Sequence, residues 1–429
     1  MTQPGKPAWL ATPALGTAVG SCALLLLLAV ILRRQDLLVI ALPMVVGTVL
    51  PLLSRAYRPP SIRAEVATTT LLEGESTVLT EQIQAAEPID VIHRRVVLEG
   101  QLSLAEGGID LCTSVRPGET GTVSHQLSSP RWGRGRVDRF LINATTAHGL
   151  LRANLECPGQ VSVQTVPLRE GFRATERVPN AAGVVGGHRS RRTGEGVDFA
   201  GVRAFAPGDR LHRINWPVST RTGQLHVSAT YSDRDTEVVL VLDTSAEVSD
   251  RAGASTTIDL AVRAAASIAE HYLRNGDRVG MLDLSRAGRP IRSRTGRSQL
   301  NRLVEILLDV RTAPASEQSI GRALSRISNR ALVIVLSPLL SDELAATVAG
   351  LARTGRSVVV VDTLPADVLL PESGEWTELA WRLQLLHRTN LVGALAQHGV
   401  PVVPWLGSGS LDQVLIGLSR IAVAPRAIR

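Results

Sequence analysis

One stretch of the chain, Glu237–Asp243, reads EVVLVLD and is apolar at every position between its acidic ends. Four later stretches share this character: DRVGMLDL (Asp277–Leu284), ALVIVLS (Ala331–Ser337), RSVVVVD (Arg356–Asp362) and VPVVPW (Val400–Trp405). Strands that are apolar on both faces are typical of a parallel sheet covered by helices on both sides. We therefore interpret the five stretches as buried parallel strands.

The segments between these strands have the Leu, Ala and Ile spacing of amphipathic helices. They are Thr257–Arg274, Ser298–Leu308, Asp342–Arg353 and Glu378–His398. Strands that alternate with helices in this order predict a doubly wound α/β sheet with helices on both faces. We assign this α/β domain to residues 236–429.

The region before the α/β domain has a different pattern. From Ser61 to about Val166 short β-rich runs, such as STVLTEQI and GRVDRFLI, are separated by Gly, Pro and Asn/Asp turns. Six or seven such strands predict a β-sandwich-like domain, which we assign to residues 61–180. The Gly- and Arg-rich segment AAGVVGGHRSRR begins a linker, and residues 181–235 hold this linker and a signature segment described below.

The amino-terminal residues 1–60 contain two uncharged apolar runs, Ala14–Leu32 and Leu37–Leu53. Each is close to the ~20 residues that cross a bilayer core. Because only four residues separate the runs, we predict a transmembrane hairpin with helices at about residues 14–32 and 37–53 and with both ends on one side. A signal peptide is the alternative, but no small-x-small cleavage site follows the first run and a second apolar run does.

The basic residues that flank the hairpin indicate its orientation. Arg33 and Arg34 lie in the turn, while the amino terminus and four basic residues lie on the other side: Lys6, Arg55, Arg58 and Arg63. Positive charge favours the cytoplasmic side. We therefore expect a multi-pass protein of the plasma membrane, with the lipid bilayer as one partner and with cytoplasmic soluble domains.

Composition excludes several classes of function. The net charge is +7, but arginines are spread along the chain and aromatic residues make up 3%, which argues against a specific nucleic-acid partner. Three cysteines allow at most one disulfide, and no zinc-ligand spacing occurs. The chain has no GxxxxGK[ST] phosphate loop and no GxSxG nucleophile elbow. We therefore expect no enzyme.

The signature segment, Gly194–Val227, reads GEGVDFAGVRAFAPGDRLHRINWPVSTRTGQLHV and combines turn residues with many charges. One interpretation is a clasp between the two soluble domains, in which Pro207-Gly208 makes a turn, Trp216 fills the junction and the arginines pair with Asp198 and Asp209. The other is a partner surface. We assign the signature and partner surface to Arg203, Pro207, Gly208, Asp209, Arg213, Asn215, Trp216 and Arg221.

This segment resembles the signature of the bacterial family called domain of unknown function 58. The match includes Gly196, Phe199, Gly201, Ile214, Gly223 and Leu225 besides most of the residues just named, while Asp198, Phe205, Asn215 and Thr220 depart from the usual pattern. The resemblance implies two membrane helices, a β-rich region and a von Willebrand factor A-like domain. Family members are often encoded beside MoxR-type ATPases, which suggests a membrane-anchored, non-catalytic adaptor that binds such an ATPase or a cell-envelope client.

Von Willebrand A domains often hold a divalent ion in an Asp-x-Ser-x-Ser loop, with a threonine and an aspartate from later loops. Here the loop after the first strand keeps Asp243 and Ser245 but has Glu247 in place of the second serine. Ser337 stands where the later aspartate is expected, and Ser319 is the candidate for the threonine. We expect no cofactor. The alternative is a metal-dependent binding protein or enzyme that holds Mg²⁺ through Asp243, Ser245 and Glu247.

A third hypothesis rests on charge alone. Arg189, Arg191 and Arg192 in the linker, with Arg55 beside the hairpin, would bind anionic lipid or nucleic acid without sequence specificity.

Overall fold

The chain divides into two compact units, Met1–Pro167 and Leu168–Arg429. The computed structural model describes residues 9–54, 58–105, 107–169, 193–206, 214–231, 237–284, 290–314, 317–329, 331–369, 374–406, 410 and 413. The linker residues 181–192 and Arg55 lie outside the described residues, so the charge-based lipid or nucleic-acid hypothesis stays a prediction.

The first unit begins with two apolar helices, α1 (Pro13–Ile31) and α2 (Gln35–Leu53). They lie within two residues of the predicted limits, and Pro13 occupies the first turn of α1, where a missing backbone N–H costs nothing. Most of their apolar side chains are exposed, including Val30, Val39 and Leu53. Both helices are long and apolar enough to cross a bilayer, which is consistent with membrane anchoring.

Two β-sheets follow. The first contains β1 (Leu10–Ala11), β3 (Thr70–Leu72), β5 (Val91–Glu99), β7 (Asp110–Thr113), β9 (Gly133–Thr146) and β10 (Leu151–Val166), in the order β1-β10-β9-β5-β7, with β3 parallel to β10. The second contains β2 (Ser61–Val66), β4 (Ser76–Gln84), β6 (Ser103–Leu104) and β8 (Thr120–Ser128), in the order β2-β4-β8-β6. All other pairs in both sheets are antiparallel.

The two sheets enclose one apolar core. Alternate residues of each strand face it, as the pleat of a strand requires. Ile92 and Phe140 of the first sheet cluster with Leu79 and Leu127 of the second, and all four side chains are fully buried. The predicted β-rich region therefore consists of two sheets packed around a single core.

The start of α1 is hydrogen-bonded directly to the first sheet. Strand β1 pairs with β10, and the Thr12 backbone N–H donates to Leu150 O at 3.0 Å. The Thr12 hydroxyl lies 2.8 Å from Gly149 O and 3.0 Å from Leu150 O. Beyond α2, the Arg58 backbone N–H donates to a Glu87 carboxylate oxygen at 2.9 Å. Both ends of the helical hairpin are thus held at one end of the β-sandwich.

The second unit begins with a small substructure made by the signature segment. Strand β11 (Thr193–Ala204) pairs antiparallel with β12 (His226–Tyr231), and the short helix α3 (Trp216–Thr222) lies between them in the chain. Ile214 forms an antiparallel bridge with Val227. We refer to the described residues from β11 to β12 as the signature substructure.

The rest of the second unit is built on a six-stranded sheet. Its strands are β13 (Glu237–Leu242), β14 (Arg278–Asp283), β15 (Ile291–Arg294), β16 (Leu332–Ser337), β17 (Ser357–Asp362) and β18 (Val402–Pro404), in the order β15-β14-β13-β16-β17-β18. All neighbours are parallel except β14 and β15. The five predicted strands are all present, with limits shifted by one or two residues.

Helices cover both faces of this sheet. They are α4 (Thr257–Arg274), α5 (Arg297–Leu307), α6 (Glu317–Ser325), α7 (Asp342–Arg353) and α8 (Glu375–Gln397). Val239 and Val333 face a core shared with Leu324, Val348 and Leu395 of α6, α7 and α8. Helix α4 contacts β13, β14 and β16, and it covers the opposite face because strand side chains alternate. The sequence reasoning missed β15 and α6, which are short.

Candidate functional site

Helix α3 is held in the signature substructure by hydrogen bonds at its start and at its centre. Asn215 caps its start, because its side-chain oxygen accepts from the Val218 backbone N–H at 3.3 Å, and the Asn215 amide group donates to Ser228 Oγ at 3.2 Å. The Ser219 hydroxyl oxygen accepts from the His226 backbone N–H at 2.9 Å. Gly223 ends the helix at φ 68°, a left-handed conformation that glycine adopts without strain.

Trp216 is 61% exposed at the first turn of α3. Its neighbours Ile214 and Ser219 turn toward β12 and are at least half-buried, because one side of a short helix packs while the other faces solvent. Trp216 is therefore an exposed side chain of the signature substructure, on a backbone that is held by hydrogen bonds. The clasp interpretation concerns a junction between the two soluble domains and stays a prediction.

The other signature residues divide into two groups. Arg203 and Arg221 are exposed, and the Arg203 guanidinium donates to Ala204 O at 3.0 Å. Arg221 makes no ion pair within the described parts of the chain. Four residues of the predicted surface lie outside the described residues: Pro207, Gly208, Asp209 and Arg213. The Asp198 side chain also lies outside the described side chains.

The predicted metal residues follow β13, at the edge where the parallel strands end. Asp243 is buried and accepts three hydrogen bonds: from the Ser245 backbone N–H at 3.1 Å, from Ser245 Oγ at 2.6 Å and from Ser337 Oγ at 2.6 Å. The structure thus brings together Asp243, Ser245 and the serine that stands in place of the later aspartate. The hydroxyl groups of both serines point at the Asp243 carboxylate.

Glu247 lies in the same loop but has a different hydrogen-bond partner. Thr312 Oγ1, in the loop after α5, donates to its carboxylate at 2.6 Å, and the Ala313 backbone N–H donates to Thr244 O at 3.2 Å. Thr312 is therefore the threonine that reaches this loop, whereas the Ser319 side chain lies outside the described side chains. The signal for Thr312 was its position directly after the helical segment that ends at Leu308.

Two more carboxylates end neighbouring strands. Asp283 ends β14 and accepts from Thr244 Oγ1 at 3.0 Å, and Asp362 ends β17 and forms an ion pair with Arg388. Within the described ranges, no group of three His, Cys, Asp or Glu side chains is arranged to hold a metal ion. The Asp243, Glu247 and Asp283 carboxylates at this edge therefore accept hydrogen bonds from nearby hydroxyl groups, and the Asp362 carboxylate pairs with Arg388.

Residues 201–380 match the family model described as Protein of unknown function DUF58. This span contains most of the signature substructure and the sheet as far as β17. Uncharacterized protein Rv1480 of Mycobacterium tuberculosis and Uncharacterized protein Mb1516 of Mycobacterium bovis are each 28% identical to this chain over 197 residues. The match covers 44% of this chain and 62% of each relative, so the chain spans less than two thirds of the relatives' length.

Solved structures resemble the chain only weakly. Alpha-2-macroglobulin from Escherichia coli, from domain MG7 to the C-terminus, is 10% identical and covers 87% of this chain and 56% of that chain, with a TM-score of 0.20. Macromomycin is 13% identical and covers 22% of this chain and 97% of that chain, with a TM-score of 0.12. TM-scores this low do not establish a shared fold or function.

Proposed function

We propose that this protein is a membrane-anchored, non-catalytic scaffold that binds a protein partner through the signature substructure. The partner that we propose is a MoxR-type ATPase or a cell-envelope client. The observation that carries the proposal is Trp216, an exposed tryptophan on a helix that hydrogen bonds hold at its start and at its centre.

Such a residue suits a binding surface for physical reasons. A large exposed aromatic side chain contributes little to the stability of the free protein. When a partner covers it, such a side chain buries roughly 150–250 Å2 of surface. Trp and Arg are the residue types that most often dominate binding energy in protein interfaces. Arg221 lies on the same short helix, and Val202 and Leu225 add exposed apolar side chains to the substructure.

The membrane part of the proposal concerns topology. Helices α1 and α2 would both span the plasma membrane, with the turn at Arg33 and Arg34 on the far side. The hydrogen bonds of Thr12 and Arg58 support this arrangement, because they hold both ends of the hairpin at one end of the β-sandwich. The flanking positive charge favours the cytoplasm for this side, because basic residues near membrane helices are more frequent there.

The proposal includes a von Willebrand factor A-like, doubly wound fold for the second unit after residue 236. Its support is a parallel sheet with helices on both faces and an Asp-x-Ser sequence, Asp243 to Ser245, at the carboxyl end of a central strand. In the proposed scaffold this edge has a structural role, because Asp243 accepts hydrogen bonds from two serines and Glu247 accepts one from Thr312.

Affinity purification of the full-length chain from native membranes tests the scaffold. The MoxR-type ATPase should be recovered with the wild-type chain and at least tenfold less with Trp216→Ala or Arg221→Ala, because truncating a dominant interface residue costs about 2 kcal/mol or more. Trp376→Ala is the matched control, since Trp376 is also exposed, at 82%, but lies on α8. Equal recovery with Trp216→Ala and Trp376→Ala, or no ATPase with any chain, would contradict the proposal.

A further inference from the structure

A cavity of about 710 Å3 lies beside the edge strand β15, and its lining residues all follow the signature substructure in the chain. Its lining combines three arginines, Arg292, Arg294 and Arg302, with the apolar side chains of Ile291 and Ile306. Pro290 and Asp283 complete the lining. The volume falls in the range of pockets that hold small molecules, roughly 300–1,000 Å3.

The backbone brings the three arginines to one side. Arg292 and Arg294 are two residues apart on β15, and both are exposed and line the cavity. Ser293, between them, donates from its hydroxyl to Glu237 Oε1 at 2.8 Å, which ties β15 to β13. Arg302 and Ile306 are four residues apart on α5, which places them on one face of that helix.

Strand β15 and helix α5 are fixed against each other and against β14. The buried Gln299 amide group donates to Val279 O at 2.8 Å and to Arg292 O at 3.1 Å, joining α5 to both strands. Gly280 permits the close approach of β15, because a Cβ there would lie 2.5 Å from Ser293 Oγ and 2.8 Å from Ile291 O. The arginines therefore extend from a rigid base.

The cavity carries excess positive charge. Arg292, Arg294 and Arg302 are exposed, and none of them forms an ion pair with an acidic side chain of the described residues. Asp283 is the acidic residue of the lining, and its Oδ1 already accepts from Thr244. Three cations that line one recess repel each other, and a bound anion would relieve that repulsion.

We infer that this cavity is a binding site for a multiply charged, phosphate-bearing small molecule. A carboxylate offers two oxygens and suits one guanidinium fork, whereas a phosphate group offers at least three acceptor oxygens in a tetrahedral array and can engage several arginines at once. A chain of phosphates also carries enough charge to match three arginines. Ile291 and Ile306 provide apolar surface for the rest of such a molecule.

Isothermal titration calorimetry of the full-length chain in detergent tests the site, with sodium tripolyphosphate as the probe at constant ionic strength. The triple variant Arg292→Gln/Arg294→Gln/Arg302→Gln should bind far more weakly than the wild type, with roughly a tenfold loss per arginine for a hydrogen bond to a charged group. The control is Arg311→Gln/Arg326→Gln/Arg353→Gln, which removes three exposed arginines of the same unit. It should retain the wild-type affinity within about twofold, since surface charge away from the site acts weakly.

The outcomes separate the alternatives. Binding of ATP that is tighter than binding of tripolyphosphate would support a nucleotide as the ligand, and equal binding would support a site for the phosphate chain alone. No heat with either probe, an equal loss in both triple variants, or tighter binding of a twelve-residue polyglutamate peptide would overturn the inference. If the triple variant does not fold, Arg302→Gln alone should bind about tenfold more weakly, because Arg302 is exposed on α5.

Discussion

Arg94 and Glu81 form an ion pair inside the β-sandwich, with Arg94 Nε 2.8 Å from Glu81 Oε2 and with neither side chain exposed to solvent. Because Glu81 belongs to β4 and Arg94 to β5, the pair joins the two sheets. The Arg94 guanidinium also donates to Gly108 O at 2.6 Å and lies 2.9 Å from His125 Nε2. Burial raises the pKa of the Glu81 carboxyl to about 7, against the opposing effect of the Arg94 charge.

Breaking this pair should strongly destabilise the first unit. Arg94→Met leaves the Glu81 carboxyl buried without its partner, and we expect a loss of about 3–5 kcal/mol in the free energy of unfolding. The double variant Glu81→Leu/Arg94→Met should recover most of the loss. Arg136→Met is the control, because Arg136 forms a 2.7 Å pair with Glu99 within one sheet and both side chains are exposed. Solvent screens an exposed pair, so we expect a much smaller loss of stability than with Arg94→Met. Denaturant unfolding of the full-length chain in detergent compares the wild type with these three variants.

The stability of the first unit should depend on pH through Glu81. Its pKa in the folded chain lies above the ordinary value of 4.5, so protonation favours the folded state. The stabilisation is full below about pH 4.5 and is lost as pH rises through about 7. In Glu81→Gln this contribution should disappear. The measurement is the difference in thermal midpoint between wild type and Glu81→Gln from pH 4.5 to 8, and a constant difference would contradict it.

Other groups titrate in the same range and must be separated from Glu81. Burial and the Arg94 charge lower the pKa of His125, so its contribution has the opposite sign and grows as pH rises toward its ordinary value of 6.5. The Asp110 pKa is lowered by its hydrogen bond to Arg95 and contributes only in more acidic solution. Repeating the comparison in a His125→Asn background isolates the Glu81 effect.

Truncation of two tryptophans of the second unit should change its stability by very different amounts. Trp405 is 1% exposed, and its backbone N–H donates to Asp362 O, so Trp405→Ala should cost about 3–5 kcal/mol. Trp216 is 61% exposed, and Trp216→Ala should change stability by less than about 0.5 kcal/mol. Calorimetric unfolding of the full-length chain measures both. A large loss with Trp216→Ala would contradict this prediction and support the clasp interpretation.

Asp243 should stabilise the second unit without a metal ion. Asp243→Asn replaces one acceptor oxygen of a buried carboxylate by a donor amide, and we expect a loss of about 1–3 kcal/mol because the donors around it lose their partner. Mg²⁺ should leave the thermal midpoint of both chains unchanged. If Mg²⁺ raises the midpoint of the wild type but not of Asp243→Asn or Ser245→Ala, the alternative magnesium site is correct.

The hairpin topology can be measured by cysteine labelling in a Cys112→Ser background, which removes an exposed thiol. Arg34→Cys marks the turn between α1 and α2, and Gln101→Cys marks an exposed position on the β-sandwich. In intact cells, a membrane-impermeant maleimide should label position 34 and not position 101, while permeabilised cells should be labelled at both. The reverse pattern would contradict the cytoplasmic orientation, and labelling of both positions in intact cells would contradict the hairpin.

Sequence periodicity predicted the two apolar helices and the five strands of the second unit, because these signals are local. An apolar run of about 20 residues or a spacing of 3.6 residues specifies an element whatever its neighbours are. The same period-two rule places Glu81 between Leu79 and Ile83, and Arg94 between Ile92 and Val96, on the buried faces of their strands. This signal was present in the sequence, although the pairing of the two charges was not.

By itself, the sequence determined the elements of this protein and the residue types of its candidate sites, since both follow from local composition and spacing. Tertiary structure alone decided which distant residues meet. In the folded chain Trp216 is exposed, and Thr312 donates a hydrogen bond to Glu247, 65 residues away in the sequence. Arg302 of a helix lines the same cavity as two arginines of an edge strand. The physical reason is that burial and pairing depend on the path of the chain in space, which sums many weak contacts that no short stretch contains.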